Sequence, residues 1–175
     1  QIPRLLASFI EADALYVVQD YVNGTDLNIE LDPSLPWDEA CVLELLRELL
    51  EILEFVHRQN LAHLDLQPTH IKRQPDGKLV LIDFGILPAV QGTETGLLGY
   101  APPLDTDRSE FSQDLYAVGM IGIQALTGLH PNYLTLDRKT GEIIWRFATS
   151  DHPLIPVSPS FSKILTRLVR HHADH

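Results

Sequence analysis

His63-Leu-Asp-Leu-Gln-Pro-Thr-His-Ile71, and then Leu81-Ile-Asp-Phe-Gly85, decide how this chain is read. Each block holds one aspartate, Asp65 or Asp83. Next come two stretches that read as short strands, His70–Arg73 and Lys78–Ile82. Pro75-Asp-Gly77 separates those stretches. Proline sets the first turn dihedral and glycine accepts a positive φ, so the pair reads as a strand, a turn and a strand.

Upstream, Asp38 to His57 carries the clearest periodicity in the chain. Val42, Leu45, Leu46, Leu49, Ile52, Leu53 and Val56 recur at three- and four-residue steps, with Glu44, Arg47, Glu48, Glu51 and Glu54 on the other face. That is an amphipathic helix, with Asp38 as its N-cap. Residues 2–9 and 14–20 are apolar runs that read as a strand pair, and Tyr21-Val-Asn-Gly24 breaks the pattern. Asp32 to Pro36 is a proline-rich loop.

Downstream, residues 86–112 are irregular and carry Gly92, Gly96, Gly99 and Pro102-Pro103. Gln113 to Thr127 reads as an apolar helix ended by Gly128 and Pro131. Asp137 to Trp145 reads as a loop with a hairpin at Thr140-Gly141. A last helix starts with Ser158 as N-cap and Pro159 as its first residue. Its expected buried stripe is Phe161, Ile164, Leu165, Leu168 and Val169. The fold class expected is α+β, mainly α.

Composition narrows the function. The net charge of −11 and the lack of a basic stripe argue against nucleic acid as a partner. Leu115–Leu129, a charge-free and largely apolar stretch, contains Gln124, Thr127 and three glycines and reads as too short and polar for a membrane span. The single cysteine, Cys41, cannot form an internal disulfide and is expected to be buried, in a reducing, cytoplasmic compartment. The chain starts at Gln1 and its single methionine is Met120, so it is expected to be an excerpt of a longer protein.

The His63–Ile71 and Leu81–Gly85 blocks resemble the catalytic loop and the Asp-Phe-Gly motif of protein kinases, in order, spacing and intervening hairpin. Either motif alone is weak; together, between a helix and two strands, they are specific. Gly96-Leu-Leu-Gly-Tyr-Ala-Pro-Pro103 resembles the end of the activation loop. Asp114-Leu-Tyr-Ala-Val-Gly119 and Leu126-Thr-Gly-Leu-His-Pro131 resemble the start and exit of the central buried helix. Leu15-Tyr-Val-Val-Gln-Asp-Tyr-Val22 resembles the last small-lobe strand and hinge. The wording is most similar to bacterial Ser/Thr kinases.

The resemblance implies a kinase large lobe at residues 23–175 and a small-lobe and hinge remnant at residues 1–22. It implies ATP and Mg²⁺ as cofactors and a protein as substrate or partner. Asp65 would accept the substrate hydroxyl proton, and Asp83 would hold Mg²⁺. Asp20 and Val22 would meet the adenine edge. Leu5, His63 and Phe84 would stack as an apolar spine, and Asp114 would hold the catalytic-loop backbone.

Several positions depart from the family. Leu64 replaces the arginine that reads a phosphorylated activation loop. Gln67 replaces the catalytic-loop lysine, and His70 the metal-binding asparagine. Leu97 and Leu104 replace a bracing threonine and a glutamate, and Lys72 stands where an apolar residue floors the adenine site. The Gly-rich loop and the rest of the small lobe have no counterpart here. The expectation is therefore a degenerate kinase, or pseudokinase, with a regulatory or binding role. The alternatives are part of an active Ser/Thr kinase with an upstream small lobe, or a decayed gene fragment. Thr93 and Thr95 are read as solvated loop polarity, His57 as structural, and His171, His172 and His175 as a frayed end.

Overall fold

The computed structural model describes residues 1–84, 99–102, 109–137, 139–140, 142–146 and 155–170. The activation-loop positions Thr93, Thr95, Leu97 and Leu104, Gly85 and the C-terminal histidines lie outside these residues. The observed elements bear out the α+β, mainly α class.

β1 (Leu5–Glu11) and β2 (Ala14–Gln19) form an antiparallel hairpin with Phe9 opposite Tyr16 and Glu11 opposite Ala14. Ala12 and Asp13 turn the chain with φ of 49° and 62°. Positive φ at both turn residues suits the right-handed twist of a hairpin. The ribbon is apolar on both faces, and both are open: Ile10 is 75% exposed and Leu5 60%.

The core is helical. α2 (Glu39–Arg58) buries all seven apolar residues of the expected stripe. Asp38 caps it, accepting from the Cys41 N–H at 2.8 Å. Cys41 itself is exposed, contrary to expectation. Val42 takes the first core-facing place, and Cys41, one step earlier, is turned toward solvent beside Asp38. That carboxylate raises the thiol above its ordinary value.

α3 (Glu110–Thr127) starts three residues earlier than the apolar run implied, because Ser109 caps it through the Ser112 N–H. Nearly every residue from Tyr116 to Thr127 is buried, as expected for a helix apolar all round. Gly128 ends it at φ 69°, where a Cβ would meet the Pro33 carbonyl oxygen at 2.5 Å. α4 (Pro159–Leu168), capped by Ser158, packs on α3 through Phe161, Leu165 and the following Val169. Ile164, expected in this stripe, is 53% exposed. It falls to the side of the contact line and borders an open apolar groove with Leu43 and Leu50.

A three-stranded antiparallel sheet joins the loops of interest, in the order β3 (Thr25–Asp26), β4 (Ile71–Arg73), β5 (Leu79–Leu81). Pro75–Gly77 turns β4 into β5 as expected, with Gly77 at φ 87°. α1 (Leu27–Glu30), a single turn with no periodic signal, follows β3 and buries Leu27. His70 belongs to a short 3₁₀ turn, Pro68–His70, and β4 begins after it. A small hairpin of β6 (Thr135–Leu136) and β7 (Ile143–Ile144) leads to the buried Trp145.

The α3–α4 contact depends on glycine. A Cβ on Gly119 would sit 2.7 Å from the Val169 Cγ1 and 2.8 Å from the Leu168 Cβ; on Gly122 it would meet only Leu methyls, at 3.1–3.2 Å. Alanine gains about 1 kcal/mol of helix propensity, whereas overpacking costs about 1–3 kcal/mol. Gly119→Ala should therefore lower stability by up to about 2 kcal/mol in urea unfolding, with Gly122→Ala close to neutral or stabilising. Equal effects would contradict this packing.

Candidate active site

The Asp114 carboxylate organises the site. It projects from the start of α3 and is 1% exposed. It accepts from the His63 N–H and the Leu64 N–H, each at 2.8 Å, and from His57 Nε2 at 2.8 Å. Buried backbone donors need such acceptors. Leu64 holds φ at 63°, a conformation that non-glycine residues seldom adopt. Its N–H contact with Asp114 helps to hold it there. His57 also stacks on Phe111 with ring centroids 4.5 Å apart, in keeping with a structural role.

His63 fixes the loop to the end of β5. It is fully buried, and its Nε2–H donates to the Ile82 carbonyl at 2.9 Å. Its ring lies 4.4 Å from that of Phe84. The Asp65 N–H approaches Nδ1 at 3.4 Å, which selects the neutral Nε2–H tautomer. Burial lowers the imidazole below its ordinary value. Through these bonds Asp65 and Asp83 extend from neighbouring anchored segments. Asp83 is exposed and has φ of 57°, a second left-handed non-glycine residue at the site. Such departures concentrate at functional sites.

Asp65, Gln67 and His70 form one hydrogen-bonded cluster. Gln67 Nε2 donates to Asp65 Oδ1 at 3.3 Å and lies 3.3 Å from His70 Nε2. His70 Nδ1–H donates to the Asp65 carbonyl at 2.7 Å and lies 3.5 Å from its Oδ2. The Asp65 side chain is 51% exposed, while the His70 side chain is 18% exposed. The histidine is thus turned back onto its own loop. Among the described residues no group of His, Cys, Asp and Glu is arranged to hold a metal ion.

The expected spine is only partly assembled. His63 and Phe84 meet, but Leu5 remains 60% exposed on the hairpin. In the hinge segment the Asp20 N–H donates to the Arg4 carbonyl at 2.9 Å, and Val22 is half-buried. Two further contacts escaped sequence reasoning. Tyr100 O–H donates to Gln124 Oε1, anchoring residues 99–102 on α3; a lone glutamine in an apolar helix was the available signal. Burial raises the Tyr100 phenol well above its ordinary range. Lys72 Nζ pairs with Asp26 Oδ1 at 2.5 Å across β3 and β4, and nothing local in the sequence joins those two positions.

Two measurements probe the anchoring. Asp114→Ala strands the His63 and Leu64 N–H groups and should lower stability by about 3 kcal/mol or more, with Asp114→Asn milder because it retains one oxygen. A loss below about 1 kcal/mol for the alanine would refute the role given to this carboxylate. For His63, the unfolded chain takes up a proton near pH 6.5, before the folded one does. Its contribution to stability is therefore intact above that pH and is lost as pH falls toward the lowered folded value. His63→Phe keeps a ring on Phe84 and cannot titrate. Its stability should fall less steeply between about pH 7 and pH 5 than the parent's.

Comparison with known proteins extends the likeness over the chain. The protein kinase domain profile matches residues 1–173. Serine/threonine-protein kinase C of Synechocystis sp. is 38% identical over 186 residues, covering 98% of this chain and 34% of that protein. Serine/threonine-protein kinase PknA of Nostoc sp. is 35% identical over 187 residues, covering 98% and 32%. Aurora kinase A-A of Xenopus laevis is 26% identical over 178 residues, covering 98% and 43%. The chain spans about a third of the length of the two bacterial relatives. With a profile match over nearly its whole length and an anchored catalytic-loop segment, this chain belongs to the protein kinase domain family, in its eukaryotic-type Ser/Thr branch from bacteria.

Proposed function

We propose that this chain is a degenerate kinase-like domain that acts as a binding or regulatory module, with little or no phosphotransfer on its own. Residues 1–22 are the small-lobe and hinge remnant and residues 23–175 the large lobe. The partner is a protein that docks on the large-lobe groove. An exposed, unpaired Cys41 suits a reducing cytoplasm, and among the described residues no helix is long and apolar enough to cross a membrane.

The observation that carries this reading is the Asp65–Gln67–His70 cluster. Phosphoryl transfer relies on positioning and charge compensation. At the family's lysine position stands a neutral amide, spent on Asp65 and His70. The family uses ATP with Mg²⁺, and the donor set here fits that pair only in part. Asp83 offers an exposed carboxylate suited to a hard cation. His70 offers nitrogen, with Nδ1–H committed to the Asp65 carbonyl and Nε2 facing Gln67. His70 therefore does not reproduce the amide oxygen that serves as the family's second metal ligand. Loss of one preorganised donor commonly costs about 10²–10³ in rate. Losses within one unit do not multiply, but Gln67 and His70 together should bring turnover near background.

One observation favours the runner-up, an active Ser/Thr kinase completed by a small lobe. The Asp114–His63–Phe84 anchoring is intact and Asp65 remains half exposed.

Thermal shift with ATP, with and without Mg²⁺, separates the two when paired with a radiolabel transfer assay. A ligand at 100 times its Kd should raise Tm by roughly 5–11 °C for a chain of this size. The expected result is no Mg²⁺-dependent shift and no label transfer by the parent. Transfer by the parent chain would overturn the reading.

A further inference from the structure

The sheet that links the two halves of the site carries an ion pair that the family's nucleotide chemistry does not call for. β4 leaves His70, and β5 leads into Asp83. Ile71 pairs with Leu81, and Lys72 pairs with Val80 on one side and Asp26 on the other. Cross-strand partners share a face, and successive residues alternate faces. Ile71 and Leu81 are fully buried in the helical core. Lys72, Val80 and Asp26 therefore lie on the opposite face, one rung from the pair that adjoins the site.

On that face Lys72 Nζ meets Asp26 Oδ1 at 2.5 Å, with the side chains 23% and 35% exposed. Asp26 is also the N-cap residue of α1. A carboxylate there ordinarily accepts from the first helical N–H groups, but Asp26 makes no such bond. Its carboxylate is given to the lysine instead.

Position 72 is where the resemblance places the apolar floor under adenine. A purine face has no charge with which to offset the water stripped from an ammonium and a carboxylate. A free lysine could lay its cation against a ring, but this ammonium is held by Asp26. We propose that the Lys72–Asp26 ion pair bars nucleosides from this face of the sheet, so that Lys72 sets ligand specificity independently of Gln67 and His70. The inference rests on the reading that the chain does not transfer phosphate, and extends it from transfer to binding.

Bulk electrostatics predicts the opposite sign. The chain carries −11, and removing a lysine adds to its repulsion of ATP. Adenosine, which is neutral, isolates the floor. The test is a calorimetric titration of the parent chain, Lys72→Met and Lys72→Arg with adenosine and then with ATP. Lys72→Met should bind adenosine at least tenfold more tightly than the parent. Lys72→Arg should not gain, because it keeps the charge and the pair. Equal affinity in parent and Lys72→Met, no saturable adenosine binding by Lys72→Met, or a matching gain in Lys72→Arg would each overturn the proposal. If circular dichroism shows that Lys72→Met does not fold, Lys72→Gln replaces it, with at least a threefold gain expected and equal affinity counting against the proposal. An ion pair that merely ties β3 to β4 would lower Tm on removal and leave adenosine affinity unmoved. Tight ATP binding with phosphotransfer by the parent would sink the underlying reading. A parent without transfer whose Lys72→Met variant binds no better would sink this proposal alone.

Discussion

A buried carboxylate with no solvent to fall back on holds this structure's working parts in place. Asp114, 1% exposed, gathers the His63 and Leu64 amides and the His57 ring onto the start of α3. Each of those donors would be costly to leave unpaired in the interior. The His63–Ile71 segment is thereby tied to α3, the most buried helix among the described residues. The end of α2 is tied through His57 to the same point. Because Leu64 sits at positive φ, the segment needs this external hold to keep its path.

From that anchor the order passes outward by short steps. His63 reaches the Ile82 carbonyl and lies against Phe84, so the end of β5 is placed relative to the loop. Asp65 and Asp83 then occupy exposed ends of anchored segments. The anchoring does not depend on what stands at positions 67 and 70. The loop's backbone is held by the Asp114 carboxylate and the His63 ring. At those positions Gln67 and His70 satisfy each other and Asp65.

The β1–β2 hairpin is the opposite case. Its strands pair with each other, yet both faces remain open and apolar. Two-stranded ribbons are marginal in water without a packed face. That explains why Leu5 does not join His63 and Phe84: local pairing sets the strand but supplies nothing to press it onto the helical lobe.

Of the helices, α2, α3 and α4 were legible in the sequence, with the start of α3 read three residues late and α1 not read at all. The stripe of α2, the all-apolar α3, and Asp38, Ser158 and Gly128 at helix ends follow from periodicity and local hydrogen bonding. Those are short-range effects written in neighbouring residues. The site's two aspartates were legible through the resemblance of their blocks. Tertiary structure alone decided the exposure of Cys41 and Ile164, because one step around a helix separates core from solvent. It alone paired Lys72 with Asp26 and Tyr100 with Gln124. It alone turned His70 onto its own loop. Such contacts depend on where the backbone brings distant residues together, and a polar side chain takes whichever partner that arrangement puts within reach.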